Sequence, residues 1–380
     1  MRKRSIIISL VIGVFLLTSN GVSAADPIKI GSPLLLSGRG AFVGGAEKAT
    51  LEMMAEKVNK SGGINGRPIE FIFYDTEAKP DIAVRLVKRL IQKDKVDAII
   101  GISASWAAFP VIPIIEKHKI PTIMLGSASK IVNPVNKYIF KTPSDDRIVV
   151  AKLLDYLQKQ GTKKIAIMSS QDGFGDGGRS ELLSQTPKYG IEIVFDDKYT
   201  MDDTDVTPTI NKIKKTDAQV VVNWSSKRAP VIMTMGYRQL GMTLPLYQSH
   251  AALSADFLKA LGEKGNGIKI ASFKFPGAEN LADNDPQKKI ILDYQAQYQE
   301  KFDKPANQFG ACAFDAFNIM LKALKIAGTD KEKLRDAIEN TKNHMGINGE
   351  FNYSSDDHGG LTKKTMVMYE AVDNKWKLLE

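Results

Sequence analysis

The sequence predicts an α/β protein built as two doubly wound parallel-sheet lobes. Three observations predict it. Short apolar runs alternate with amphipathic stretches at helical spacing, the pattern of strands covered by helices on both faces. The alternation ends and restarts near residue 145, so the chain carries two such layers and not one large sheet. About 355 residues follow a short apolar leader, enough for two ordinary cores.

The first layer opens with a strand at 28–36 and a helix at 46–59 that puts Leu51, Met54, Ala55 and Val58 on one face. A strand at 69–74, a helix at 82–92, a short buried strand at 98–100, a helix at 106–118 and a strand at 122–125 complete it. In the second layer, helices are predicted at 149–160, 177–189, 206–215, 230–240 and 255–261. Its strands are predicted at 164–168, 191–199, 220–224, 246–247 and 268–271. The last third differs: long helices at 286–302, 311–327 and 331–340 precede a strand-rich tail from 350 to 380.

The N-terminus points to export. Arg2, Lys3 and Arg4 precede a twelve-residue apolar core at 6–17, and Val22-Ser23-Ala24 fits the small-residue cleavage rule. A spanning helix needs about 20 apolar residues, so a cleaved signal peptide over 1–25 is expected over a membrane anchor. No cysteine follows the apolar run, which rules out a lipobox tether; the single cysteine, Cys312, also rules out an internal disulfide. Losing Arg2, Lys3 and Arg4 takes the formal charge from +9 to +6. The remaining charges are mixed in sign and form no basic stripe with aromatics, so nucleic acid is not an expected partner.

In doubly wound sheets, ligands bind outside the carboxyl ends of the strands. Here those positions carry loops rich in serine and glycine: Ser37 to Gly44, Ile102 to Trp106, and Gly126 to Ser129 in the first layer. The second layer offers Asp172 to Gly175, Ser225 to Arg228, and Gln248 to His250. Free amides and hydroxyls at helix starts suit a carboxylate, although singly such residues are more often helix caps. Phe42, Trp106, Phe174 and Trp224 fall at the same strand ends, where aromatics line a cleft or close the core.

Catalytic signals are absent. His118, His250, His344 and His358 are far apart, and no zinc motif, nucleophile elbow or Walker A loop occurs. The Asp172–Gly177 segment resembles a calcium loop only faintly, lacking its terminal Glu. No enzyme activity, metal or cofactor is expected.

Along nearly its whole mature length the chain resembles the type I periplasmic binding proteins of the branched-chain amino acid (leucine-binding) class. The carrying segments are Ile30-Gly31 with Ser37-Gly38, then Gly62-Gly63-Ile64-Asn65-Gly66-Arg67, Tyr74-Asp75-Thr76 and Val96 to Gly101. Further on come Asp172-Gly173-Phe174-Gly175, Phe314-Asp315-Ala316 and Gly349-Glu350-Phe351. The resemblance implies lobes of 26–145 plus 273–350 and 146–272 plus 351–380, joined by a three-crossover hinge. It also implies a monomer in the periplasm, or secreted, that serves the membrane permease of an ABC transporter. Ser105 takes the place of the serine that binds a ligand carboxylate, and Ala128 and Ser129 that of the loop completing this site. Val43, beside Phe42, stands where the family often has an aromatic, and Phe174 where it has a tyrosine.

One departure bears on the ligand. The family's amino acid binders hold the ligand ammonium with an acidic residue in the loop matching 248–251, and here that place is taken by His250. Ser226, Lys227 and Arg228 occupy the neighbouring loop, where an ammonium would be unwelcome. The expected ligand is therefore a small carboxylate without an α-amino group, with an apolar or aromatic body held by Trp106, Phe174, Trp224 and Phe42. Leucine, isoleucine or valine is the alternative ligand. A sensory receptor ectodomain is a weaker alternative, since the chain ends at Glu380 without a signalling domain.

Overall fold

The computed structural model describes residues 26–200, 203, 205–226 and 228–379; the expected signal peptide lies outside them. Two sheets organise the chain. The first is wholly parallel, in the order β2-β1-β3-β4-β5, from β1 (Ile28–Leu34), β2 (Ile69–Asp75), β3 (Ala98–Gly101), β4 (Thr122–Met124) and β5 (Ile139–Lys141). Its helices are α1 (Ala41–Lys60), α2 (Pro80–Gln92), the short α3 (Ser105–Ala108) and α4 (Ile112–His118). All four residues of the central β3 are buried, as a strand covered on both faces requires.

The second sheet is built from β6 (Lys164–Ser170), β7 (Glu192–Tyr199), β8 (Val220–Trp224), β9 (Leu246–Gln248) and β10 (Lys269–Phe273). Helices α5 (Asp146–Lys159), α6 (Gly173–Gln185), α7 (Thr207–Ile213), α8 (Ala229–Gln239) and α9 (Ala255–Leu261) cover it. Then α10 (Lys288–Phe302), α11 (Gln308–Ala327) and α12 (Lys331–Glu339) return to the first lobe, where α11 lies along α1. A ribbon of β11 (His344–Met345) and β12 (Glu350–Phe351) precedes β13 (Met366–Val372) and β14 (Lys375–Leu378). These last two add an antiparallel edge to the second sheet, giving β14-β13-β10-β9-β8-β6-β7.

Apolar side chains fill both faces of both sheets. One cluster sits between the first sheet and α2–α4, a second between the second sheet and α7–α9. The largest runs through both lobes by way of α1, α5 and α11. That continuity lets the lobes be separate sheets on one shared core.

Three local departures from the sequence reading have physical causes. The helix expected over 106–118 is broken into α3, a 3-10 turn and α4, because Pro110 and Pro113 cannot donate backbone hydrogen bonds inside it. Helix α6 begins at Gly173, not Gly177: Asp172 Oδ1 accepts from the amides of Phe174 and Gly175 and nucleates a turn that glycine alone would disfavour. Strand β5 was not anticipated, being only three residues long. It is buried because residues 351–358 cover it, with the Tyr353 hydroxyl on the Lys141 carbonyl (2.9 Å) and the His358 ring stacked on Phe140 at 4.0 Å. These contacts hold residues 351–358 against β5 of the first sheet.

Candidate ligand-binding site

Both sheets share one winding order, β2-β1-β3-β4-β5 and β7-β6-β8-β9-β10. In each, the winding direction reverses beside the first strand, which leaves a crevice at its carboxyl end between helices on opposite faces. The two crevices face each other. Loops leaving β1, β3 and β4 meet loops leaving β6, β8 and β9 around a cavity of about 60 Å³.

The first lobe supplies the hydroxyl-rich wall. Ser103, Ser105 and Ser127 line the cavity together with Val43 and Trp106. The Ala128 amide donates to Ser105 Oγ (3.1 Å), tying the loops after β3 and β4 together. A Cβ at Gly126 would stand 3.1 Å from the Ser105 nitrogen, so glycine there permits this approach. Buried Lys141 donates from Nζ to the carbonyls of Ser127 (2.7 Å) and Ser144 (3.2 Å), fastening the same loop to the first crossover. The Trp106 indole donates to the Ala78 carbonyl at 3.0 Å, which fixes the plane of its ring.

Behind this wall lies a carboxyl group. Ser103 Oγ donates to Glu47 Oε2 at 2.5 Å, and Glu47 is wholly buried with Oε1 unpartnered. Burial pushes the Glu47 carboxyl up to about 8, against the lowering effect of the Ser103 bond. Near pH 7 it is mostly neutral, and it offers no strong counter-charge to a ligand.

The second lobe supplies aromatic rings. Phe174, Trp224 and His250 form a mutually packed trio, with centroids 5.4 to 6.1 Å apart. All three are buried, and Trp224 lies where a Cβ on Gly178 would stand 2.1 Å from its Nε1. Burial drives the His250 imidazole down to about 3, with buried Lys141 adding to the effect. His250 is thus a neutral ring, and neither nitrogen has a partner. At the mouth, Phe42 is 41% exposed and meets Phe309 of α11 edge-on at 5.7 Å.

The lobes touch across the cleft. Ser129 Oγ donates to Glu181 Oε1 of α6 at 3.1 Å. Gly173 faces Phe109, and Gly177 faces Ala128 and the buried Asp146 carboxyl. Both glycines sit one turn apart on the same face of α6, which brings that helix against the first lobe.

Of the residues singled out in the sequence, Phe42, Val43, Ser105, Trp106, Phe174 and Ser226 line the cavity. Ala128, Trp224 and His250 stand directly behind that lining, joined to it by the contacts above. Ser129 turns to Glu181 instead, and Lys227 lies outside the described residues. The sequence reading missed Leu35, Ala251 and Phe309 as lining residues. Leu35 adjoins a loop it had marked and Ala251 ends another, whereas Phe309 arrives on a distant helix with no local signal. Among the described residues no group of three or more His, Cys, Asp or Glu could hold a metal ion. No helix among them is long and apolar enough to cross a membrane.

Comparison with known proteins agrees with this architecture. Residues 27–375 match the periplasmic binding protein family. The leucine-, isoleucine-, valine-, threonine- and alanine-binding protein of Pseudomonas aeruginosa is 24% identical over 357 residues, covering 91% of this chain and 90% of that protein. An extracellular ligand-binding receptor from Rhodopseudomonas palustris HaA2 superposes with a TM-score of 0.87 at 26% identity, covering 93% of this chain and 99% of that one. A branched-chain amino acid transporter substrate-binding protein from Streptococcus pneumoniae, solved with isoleucine, superposes with a TM-score of 0.81 at 21% identity over 93% and 99% of the two chains. With two facing parallel-sheet lobes and a cleft at their switch points, the chain belongs to the periplasmic binding protein family, as a type I member of the class that includes the Leu/Ile/Val-binding proteins.

Proposed function

We propose that the protein is the extracytoplasmic solute-binding component of an ABC importer, and that its cleft takes a small carboxylate with an apolar body. The observation that carries this reading is the composition of the lining. It holds four serines and otherwise largely apolar side chains, with no ionisable group among its described residues. A carboxylate finds hydroxyl donors at Ser105 and Ser127. An ammonium finds no counter-charge, and leaving it unpaired in a closed cleft costs several kcal/mol.

Size limits the choice further. An engineered apolar cavity of about 150 Å³ binds benzene, so the 60 Å³ here suits a short aliphatic acid as it stands. An aromatic acid enters if the lobes part slightly. Export by the 1–25 leader and delivery as a monomer to a membrane permease complete the proposal. The names of the relatives favour a second reading, a branched-chain amino acid as ligand. Calorimetric titration of the refolded, ligand-free protein with benzoate, phenylacetate, short aliphatic acids and leucine separates the two. Binding of the acids but not leucine supports the proposal; tight binding of leucine alone refutes it.

A further inference from the structure

We propose that the second lobe carries a subsite for an uncharged hydroxyl on the far end of the bound acid, read by His250, Ser226 and the Trp224 indole. The inference rests on the acid-binding reading above and adds a second recognition point to it. Both nitrogens of His250, the Nε1 of Trp224 and the Oγ of Ser226 are buried without any hydrogen-bond partner. Buried polar groups are almost always paired, and one left alone costs about 1–3 kcal/mol. Four such atoms lie on neighbouring strand ends opposite the serine wall, Ser226 in the cavity lining and His250 and Trp224 directly behind it, and mark a place where a polar group of the ligand completes the lobe.

Their chemistry selects that group. A neutral imidazole presents one donor and one acceptor, an indole one donor, and a serine hydroxyl one donor with two lone pairs. A hydroxyl can both donate to the free ring nitrogen and accept from an N–H. An ammonium has donors only and would face the indole N–H. A second carboxylate has acceptors only and would leave the acceptor nitrogen of His250 unanswered. Asp172, at the start of α6, commits Oδ1 to the first amides of that helix and does not line the cavity. Its Oδ2 is unpartnered, so Asp172 is the group to watch if an amine binds. His250 packs T-shaped on Phe174 and Trp224, and both of its ring nitrogens lack a hydrogen-bond partner.

The test compares matched acids on the full mature chain by calorimetry: phenylacetate against 4-hydroxyphenylacetate, and benzoate against 4-hydroxybenzoate. The hydroxylated member of at least one pair should bind about tenfold tighter, the worth of one buried hydrogen bond gained. His250→Phe should reduce that advantage to threefold or less. Ser226→Ala provides a second, milder variant should His250→Phe lower the melting temperature. Equal affinity within both pairs, or an advantage that survives His250→Phe, Ser226→Ala and Trp224→Phe, overturns the subsite and leaves the acid reading standing. Leucine binding that is lost in Asp172→Asn, with no acid bound, overturns both.

Discussion

Ser105 concentrates the polar chemistry of the first lobe, since its hydroxyl lines the cavity and also receives the Ala128 amide. Ser105→Ala should weaken ligand binding by about 1–3 kcal/mol in a calorimetric titration, the cost of an unpaired buried polar group. Unchanged affinity would remove Ser105 from the site. Glu47 sets a pH dependence. Its carboxyl ionises near 8 in the folded protein and near 4.5 when unfolded, so the native state holds the extra proton between those values. Its contribution to stability is fully present below about pH 4.5 and is lost as pH rises through about 8. Glu47→Gln should flatten the decline in chemical-denaturation stability between pH 5 and 8, by an amount on the order of a few kcal/mol. A wild-type slope retained by the variant would show that another group carries it.

At the scale of elements, helix α6 joins the two lobes. Its glycines each meet a different neighbour: Gly173 meets Phe109, Gly177 meets Ala128, and Gly178 meets Trp224. An alanine Cβ at 173 would lie 2.4 Å from Phe109 Cε2, across the cleft, so Gly173→Ala should hinder closure more than folding. Expected is about a tenfold loss of affinity with little change in the melting temperature of the ligand-free protein. Gly178→Ala presses on Trp224 within one lobe and should instead lower that melting temperature. Equal behaviour of the two variants would contradict this division. The sequence showed the loop that starts this helix but not its role, because a glycine-rich segment reads as a turn until a partner is seen to need the space. The strands were legible where they are long or fully apolar, as in β1, β6 and β8; β5, with three residues, depends on a cover drawn from residues 351–358.

For the whole molecule, a ligand that touches both lobes binds the closed arrangement better and shifts the equilibrium by that difference in affinity. The radius of gyration measured by small-angle scattering should fall when a bound acid is added. Stability should rise by about 2.7 kcal/mol at a hundredfold excess over Kd. A ligand that stabilises without compaction would point to a site on a single lobe.

By itself the sequence determined the two α/β layers, the strand ends facing the cleft, and six of the residues that line it, because periodicity and turn chemistry are local properties. Only the tertiary structure decided that Phe309 closes the mouth, that Ser129 spans to Glu181, and that His250, Trp224 and Phe174 pack as one trio. Those pairings join segments far apart in the chain, and burial, which sets the charge of Glu47 and His250, exists only once both lobes have assembled around them.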